Sequence, residues 1–164
     1  MKRVHILGAL FMFLGTFLTA QEIANHALGL RLGDSDGFGA EVSYQKRTAV
    51  ENRLELNLGW RDSRNFNAIK LAGLYQWVQT LDENFNWYYG AGGGLGSVNF
   101  PNIPNNEDIG GVFIFGAGNI GLEYNFDLPL ILSLDFRPEI GIAGYGDFSN
   151  NFDFDIGLGI RYQF

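Results

Sequence analysis

FDFDIGLGIRYQF, residues 152–164, alternates without a miss. Phe152, Phe154, Ile156, Leu158, Ile160, Tyr162 and Phe164 form an apolar set. Asp153, Asp155, Gly157, Gly159, Arg161 and Gln163 form a charged, small or polar one. Successive side chains on a strand point to opposite faces, so this segment reads as a β-strand with one greasy and one wet face. Its length suits a tilted strand crossing a bilayer, which needs about 9–11 residues.

Seven more segments upstream share the pattern: His26–Gly33, Phe38–Lys46, Arg53–Arg61, Asn67–Gln79, Phe85–Val98, Gly111–Tyr124 and Leu130–Gly141, with the last strand taken as Asn151–Phe164. The breaks carry turn chemistry, as in Gly33-Asp34-Ser35-Asp36-Gly37, Asp62-Ser63-Arg64-Asn65, Asp82-Glu83-Asn84 and Asp127-Leu128-Pro129. No stretch downstream of residue 20 keeps a helical period, and no linker divides the chain. The fold class is all-β: an eight-stranded antiparallel up-and-down barrel of adjacent hairpins.

Charge gives an independent check on the phase of each strand. Arg31, Glu41, Arg53, Glu55, Arg61, Lys70, Glu123, Asp135, Arg137, Glu139, Asp153, Asp155 and Arg161 all fall on the polar face. The exception is Lys46, at a strand end, where its stem can snorkel to an interface. A soluble sandwich or lipocalin-like barrel would also segregate charge, and other features separate the readings. Aromatic residues on the apolar face gather toward strand ends: Tyr44, Tyr75, Trp77, Trp87, Tyr89 and Tyr124 toward one set of turns, Trp60 with Phe38 and Phe152 toward the other. Leucine and isoleucine fill the middles, the arrangement that two bilayer interfaces favour. The polar face is crowded with glycine (Gly29, Gly59, Gly90, Gly92, Gly94, Gly96, Gly121, Gly157, Gly159), a poor choice for open solvent but suited to a narrow lumen. A sheet in lipid must also have no free edge, which an even number of hairpin-linked strands satisfies.

The amino-terminus fits export. Lys2 and Arg3 precede a mostly apolar run, Val4–Leu18, then Thr19-Ala20-Gln21-Glu22, so residues 1–20 read as a signal peptide and 21–164 as the barrel domain. Cleavage after Ala20 would leave 144 residues with 9 basic and 18 acidic side chains, a net charge of −9. That balance argues against nucleic acid as a partner. The absence of cysteine excludes disulfides and thiolate metal sites.

Alternation, strand length and the terminal Phe164 together resemble the small outer-membrane β-barrel proteins of the OmpA/OmpX type. The resemblance spans residues 21–164, although its motif is diffuse. It implies multi-pass insertion in the outer membrane of a Gram-negative bacterium, among lipid and lipopolysaccharide, with both termini facing the periplasm. It also implies that Phe154, Ile156, Leu158, Ile160, Tyr162 and Phe164 supply the signal read by the outer-membrane assembly machinery. The outer connections would then be Gly33–Gly37, Asp62–Phe66, Asn99–Gly110 and Ile142–Asn150, the last two long enough to present a surface. A monomer is expected, and the peptidoglycan-binding domain of larger relatives is not.

Eight strands enclose a space that side chains can fill. The thirteen inward charges are nearly balanced and are expected to pair across the lumen as a neutral plug, with a switchable gate as the functional alternative. Neither enzyme chemistry nor a cofactor is expected. His26 has no serine nearby and reads as an interfacial ring. Asp34-Ser35-Asp36-Gly37 lacks the later ligands of a calcium loop, with Phe38 and Gln45 standing where they would be. Gly90–Ser97 lacks the Lys-Ser/Thr of a phosphate loop. Asp147, Asp153 and Asp155 would bring carboxylates to one rim, where divalent ions bridging lipopolysaccharide could sit. A structural or surface-interaction barrel is the leading reading; the alternative is a small-ligand binder or transporter, including a soluble lipocalin-like protein.

Overall fold

The computed structural model describes residues 23–33, 39–62, 67–100, 109–144 and 152–164, without the side chains of Arg61, Phe100 and Ile109. The proposed signal peptide, the Asp34–Phe38 turn, Asp147 and most of the presumed outer connections lie outside the described residues. Eight strands follow in order: β1 His26–Leu32, β2 Ala40–Ala49, β3 Asn52–Asp62, β4 Asn67–Thr80, β5 Phe85–Phe100, β6 Ile109–Asn125, β7 Leu130–Ala143 and β8 Phe152–Gln163. Each pairs antiparallel with the next, and β1 pairs with β8 to close the barrel. No described segment is helical.

The alternation that defines the strands also decides which side each residue takes. Arg31, Arg53, Arg137 and Arg161 are each 1% exposed, whereas Ile156 is 66%, Leu134 53% and Leu122 50% exposed. Charge sits inside and large apolar side chains sit outside, the reverse of a water-soluble core. At one rim the connections are short. Leu81 N–H donates to Phe85 O at 2.8 Å and Phe126 N–H to Leu130 O at 3.1 Å, while the Asp82 carboxylate accepts from Glu83 N–H at 2.8 Å.

Two features of the sequence could have signalled irregularity. The glycine run in β5 suggests a bend, yet Gly90, Gly92, Gly94 and Gly96 pair without interruption with both β4 and β6. Pro138 suggests a rim or a bulge, yet it lies within β7 opposite Phe154 of β8. On its other side the β6–β7 ladder omits the pairs between Ala117–Glu139 and Ile120–Phe136, then resumes in the same register. The register shift of this ladder lies instead between Ile114 and Phe115.

Candidate functional site

The lumen concentrates the chemistry-bearing residues. Of the inward charges named above, eleven are buried: Arg31, Glu41, Arg53, Glu55, Lys70, Glu123, Asp135, Arg137, Glu139, Asp155 and Arg161. Asp153, near the open end of β8, is half-buried. Lys46 is exposed on the outer face.

These groups form two connected networks. In the first, the Arg53 guanidinium donates to Gln76 Oε1 at 2.6 Å and to Glu123 Oε2 at 2.7 Å. Glu55 accepts from Gln45 (2.6 Å), Asn57 (2.8 Å) and Gln76 (3.1 Å), and lies 3.4 Å from Arg161. Asn86 also donates to Glu123, at 3.1 Å. Two cations thus face two carboxylates, fixed by neutral amides.

The second network is built almost wholly of charges. Arg31 donates through Nη2 to Asp135 at 2.6 Å and through Nη1 to Asp155 at 2.5 Å. Arg137 grips Glu41 through both terminal nitrogens at 2.9 and 2.6 Å, the fork geometry that strengthens guanidinium–carboxylate pairs. Lys70 pairs with Glu139 at 2.5 Å. Arg31, Arg137 and Lys70 here meet Glu41, Asp135, Glu139 and Asp155, so carboxylates are in excess by one. Tyr88 joins the networks: its ring lies under the Arg53 guanidinium, 4.7 Å away, and its hydroxyl donates to Asp135 at 3.4 Å.

An apolar filling stands beside these networks. Ala72, Leu74, Phe113, Phe115 and Ala117 form a buried cluster along β4 and β6. The facing glycines are what make room. A methyl group on Gly96 would meet the Phe113 ring, on Gly94 the Phe115 ring at 2.5 Å, and on Gly121 the Tyr88 ring at 2.6 Å. On β8 the same relation holds for charge, with the Arg31 guanidinium lying over Gly157 and that of Arg161 over Gly159. Lys70 touches both fillings, its ammonium 4.9 Å from the Phe115 ring centre.

Sequence reasoning missed the inward Tyr88, Phe113, Phe115 and Leu74, although the signal was present. Gly90 and Gly92 fix the even phase of β5, which turns Tyr88 inward, and Glu123 fixes the odd phase of β6, which turns both phenylalanines inward. The carboxylate rim also needs correction. Asp155 points into the lumen, held by Arg31 and 3.7 Å from Arg137, so it does not stand at a rim awaiting a divalent ion. Among the described residues no cluster of three or more His, Cys, Asp or Glu could hold a metal.

The outer face carries the remaining residues of interest. Trp60, Tyr75, Trp77 and Tyr89 are exposed there, and Tyr44, Trp87 and Tyr124 are half-buried. Trp77 stacks on Tyr89 with centroids 5.4 Å apart and meets Tyr75 edge-on at 5.2 Å. Phe154, Ile156, Leu158, Ile160, Tyr162 and Phe164 all face outward and are exposed. His26 Nδ1 lies 2.7 Å from the Tyr44 hydroxyl, and its ring stacks on Phe164 at 5.5 Å.

The closed eight-strand meander is shared with solved structures. The N-terminal β-barrel domain of Pseudomonas aeruginosa OprF superposes with a TM-score of 0.66 at 16% identity, covering 88% of this chain and 100% of that one. The fold is that of the small outer-membrane barrels. Neisserial surface protein A matches with a TM-score of 0.59 at 13% identity, over 85% of this chain and 94% of that one. The Yersinia pestis attachment invasion locus protein Ail, solved with the heparin analogue sucrose octasulfate, matches with a TM-score of 0.56 at 13% identity, over 85% and 96%. No family model matches the chain, and no curated protein is significantly similar to it in sequence.

Proposed function

We propose that this protein is a non-enzymatic, monomeric integral outer-membrane barrel, exported by residues 1–20, whose plugged interior makes it a structural or surface-interaction element. The observation that carries this reading is the inverted distribution of side chains. A belt of exposed Leu, Ile, Val and Phe surrounds a lumen of buried arginine and carboxylate. Lipid is the solvent in which that belt is stable. Tyr44, Trp60, Tyr75, Trp77, Trp87, Tyr89 and Tyr124 would anchor it at the interfaces among lipid and lipopolysaccharide, and the outward face of β8 with Phe164 would be the segment read by the assembly machinery.

The two fillings of the lumen support a barrel closed to ions. Each buried cation among the described residues has a carboxylate partner, and the phenylalanines pack over the glycines. Function would then lie in the outer connections. Their charged residues are Asp34, Asp36, Asp62, Glu107, Asp108 and Asp147 against Arg64, a balance that favours cationic over polyanionic partners.

Two measurements test the reading. Protein from outer-membrane fractions should migrate differently boiled and unboiled in detergent gels, and purified protein in planar bilayers should give no steady conductance. A soluble periplasmic protein without the mobility shift would overturn the membrane assignment. A stable ion-selective current would overturn the plug.

A further inference from the structure

Among the described residues the ladder that closes the barrel is the shortest, six pairs against seven between β1 and β2. β1 has seven residues, and its pairing with β8 runs only from Ala27–Gln163 to Leu32–Leu158. The β5–β6 ladder, by contrast, runs from Phe85–Tyr124 to Phe100–Ile109. Inside the seam Gly29, Gly157 and Gly159 offer no side chain to pack across it. Backbone pairing of this extent is a weak closure beside the long ladders of β4 to β7.

Two arginines cross this seam, in opposite directions. Arg31 starts on β1, lies over Gly157 and donates to Asp155 on β8 and Asp135 on β7. Arg161 starts on β8 and donates to Ser43 on β2 at 2.8 Å, with Glu55 on β3 3.4 Å away. If the seam parted, Arg31 would keep only Glu41 on the adjacent β2, 3.5 Å away. Arg161 would keep only Ser133 on the adjacent β7, 2.7 Å away. The rim of the seam carries a third clasp, where His26 and Phe164 exchange backbone hydrogen bonds at 3.1 and 2.9 Å beneath their stacked rings.

We propose that Arg31 and Arg161 form a reciprocal latch across the β1–β8 seam, so that barrel closure and pairing of the interior charges are one event. An open seam strands two guanidiniums whose partners stay on the other side. Buried charge without a partner is strongly disfavoured, so partly open states are suppressed. The latch is independent of whether the lumen conducts.

Hydrogen exchange on the full chain folded in detergent tests it. In Arg31→Met and Arg161→Met, the amides of Leu28, Leu30, Leu32, Leu158, Ile160 and Tyr162, which by alternation from the His26–Phe164 pair face the seam, should exchange about tenfold faster or more, as expected for loss of a charged hydrogen bond. The β4–β5 amides should keep their protection. Lys70→Met removes an ion pair between β4 and β7 that does not bridge the seam, and should leave seam amides unchanged. Unchanged seam protection in both arginine variants, or equal loosening of β4–β5, overturns the latch.

If an arginine variant does not fold, a cross-link decides. His26 and Phe164 are a hydrogen-bonded pair, and so by alternation are Leu30 and Ile160, which places their Cα atoms about 5.5 Å apart, within disulfide reach. Leu30→Cys with Ile160→Cys, oxidised in a chain that has no other cysteine, should restore the unboiled mobility to the arginine variant. No recovery once the cross-link has formed overturns the proposal.

Discussion

On the side of the lumen walled by β7, β8 and β1 to β3, the filling consists of arginines and carboxylates, many gripping partners several strands away. On the side walled by β4 to β6, Leu74, Phe113 and Phe115 add an apolar filling packed over glycines, beside Lys70, Gln76, Asn86 and Glu123, which reach into the charged networks. The charged side works by direction: a guanidinium fork accepts few geometries, so Arg137 on β7 fixes where Glu41 on β2 must be. The apolar side works by volume, which tolerates any shape that fits. The contrast teaches that direction and volume fill one lumen differently: the charged side constrains which strands meet, and in the proposed closed barrel the exclusion of water and ions would fall to the apolar side.

The largest effect should come from breaking the directional side. Arg137→Ala leaves Glu41 and Glu139 as buried acids short of a partner. A loss of about 3–5 kcal/mol is expected in urea unfolding from lipid vesicles. A loss under about 1 kcal/mol would mean that the charged side is no more specific than the apolar one.

Crowding the apolar side should cost less, about 1–3 kcal/mol for Gly96→Ala, because the new methyl group meets the Phe113 ring. Phe113→Leu should recover part of that loss and no more, since the Ile69 carbonyl lies 2.8 Å from the same position. Replacing the pair that touches both sides sharpens the comparison further. Lys70→Met alone should be costly, whereas Lys70→Met with Glu139→Leu should fall within about 1 kcal/mol of the parent, a difference that a double-mutant cycle measures. The smallest effect is expected from Pro138→Ala. It supplies an N–H where the β6–β7 ladder is interrupted, with a change of about 1 kcal/mol or less in stability and added exchange protection near Gly118.

Nearly all of the strand order was legible in the sequence, because two-faced strands must alternate. The differences are at the ends: β2 continues past Lys46 to Ala49, and β6 begins at Ile109 before Gly111. There, backbone pairing persists after the side-chain pattern has faded. The inward side of each strand was equally legible, and with it the positions of Tyr88, Phe113 and Phe115. The partners were not. Arg31 finds Asp135, Arg53 finds Glu123 and Arg137 finds Glu41 across stretches of 104, 70 and 96 residues. Those meetings depend on strand stagger around the whole barrel, which no local pattern encodes. Pro138 misled for a related reason: the sheet absorbs a missing donor without losing register, because the ladders on either side already fix it.

The backbone bonds between His26 and Phe164 have a consequence for chain connectivity. They hold the first and last strands of the barrel at a common rim, so a short peptide could join them into a ring. New ends could then be cut at Asp82–Glu83, in the turn between β4 and β5. Every ladder would survive, but β5 would emerge first and β4 last. For such a circular permutant the order of synthesis becomes a free variable, while the finished cylinder stays the same.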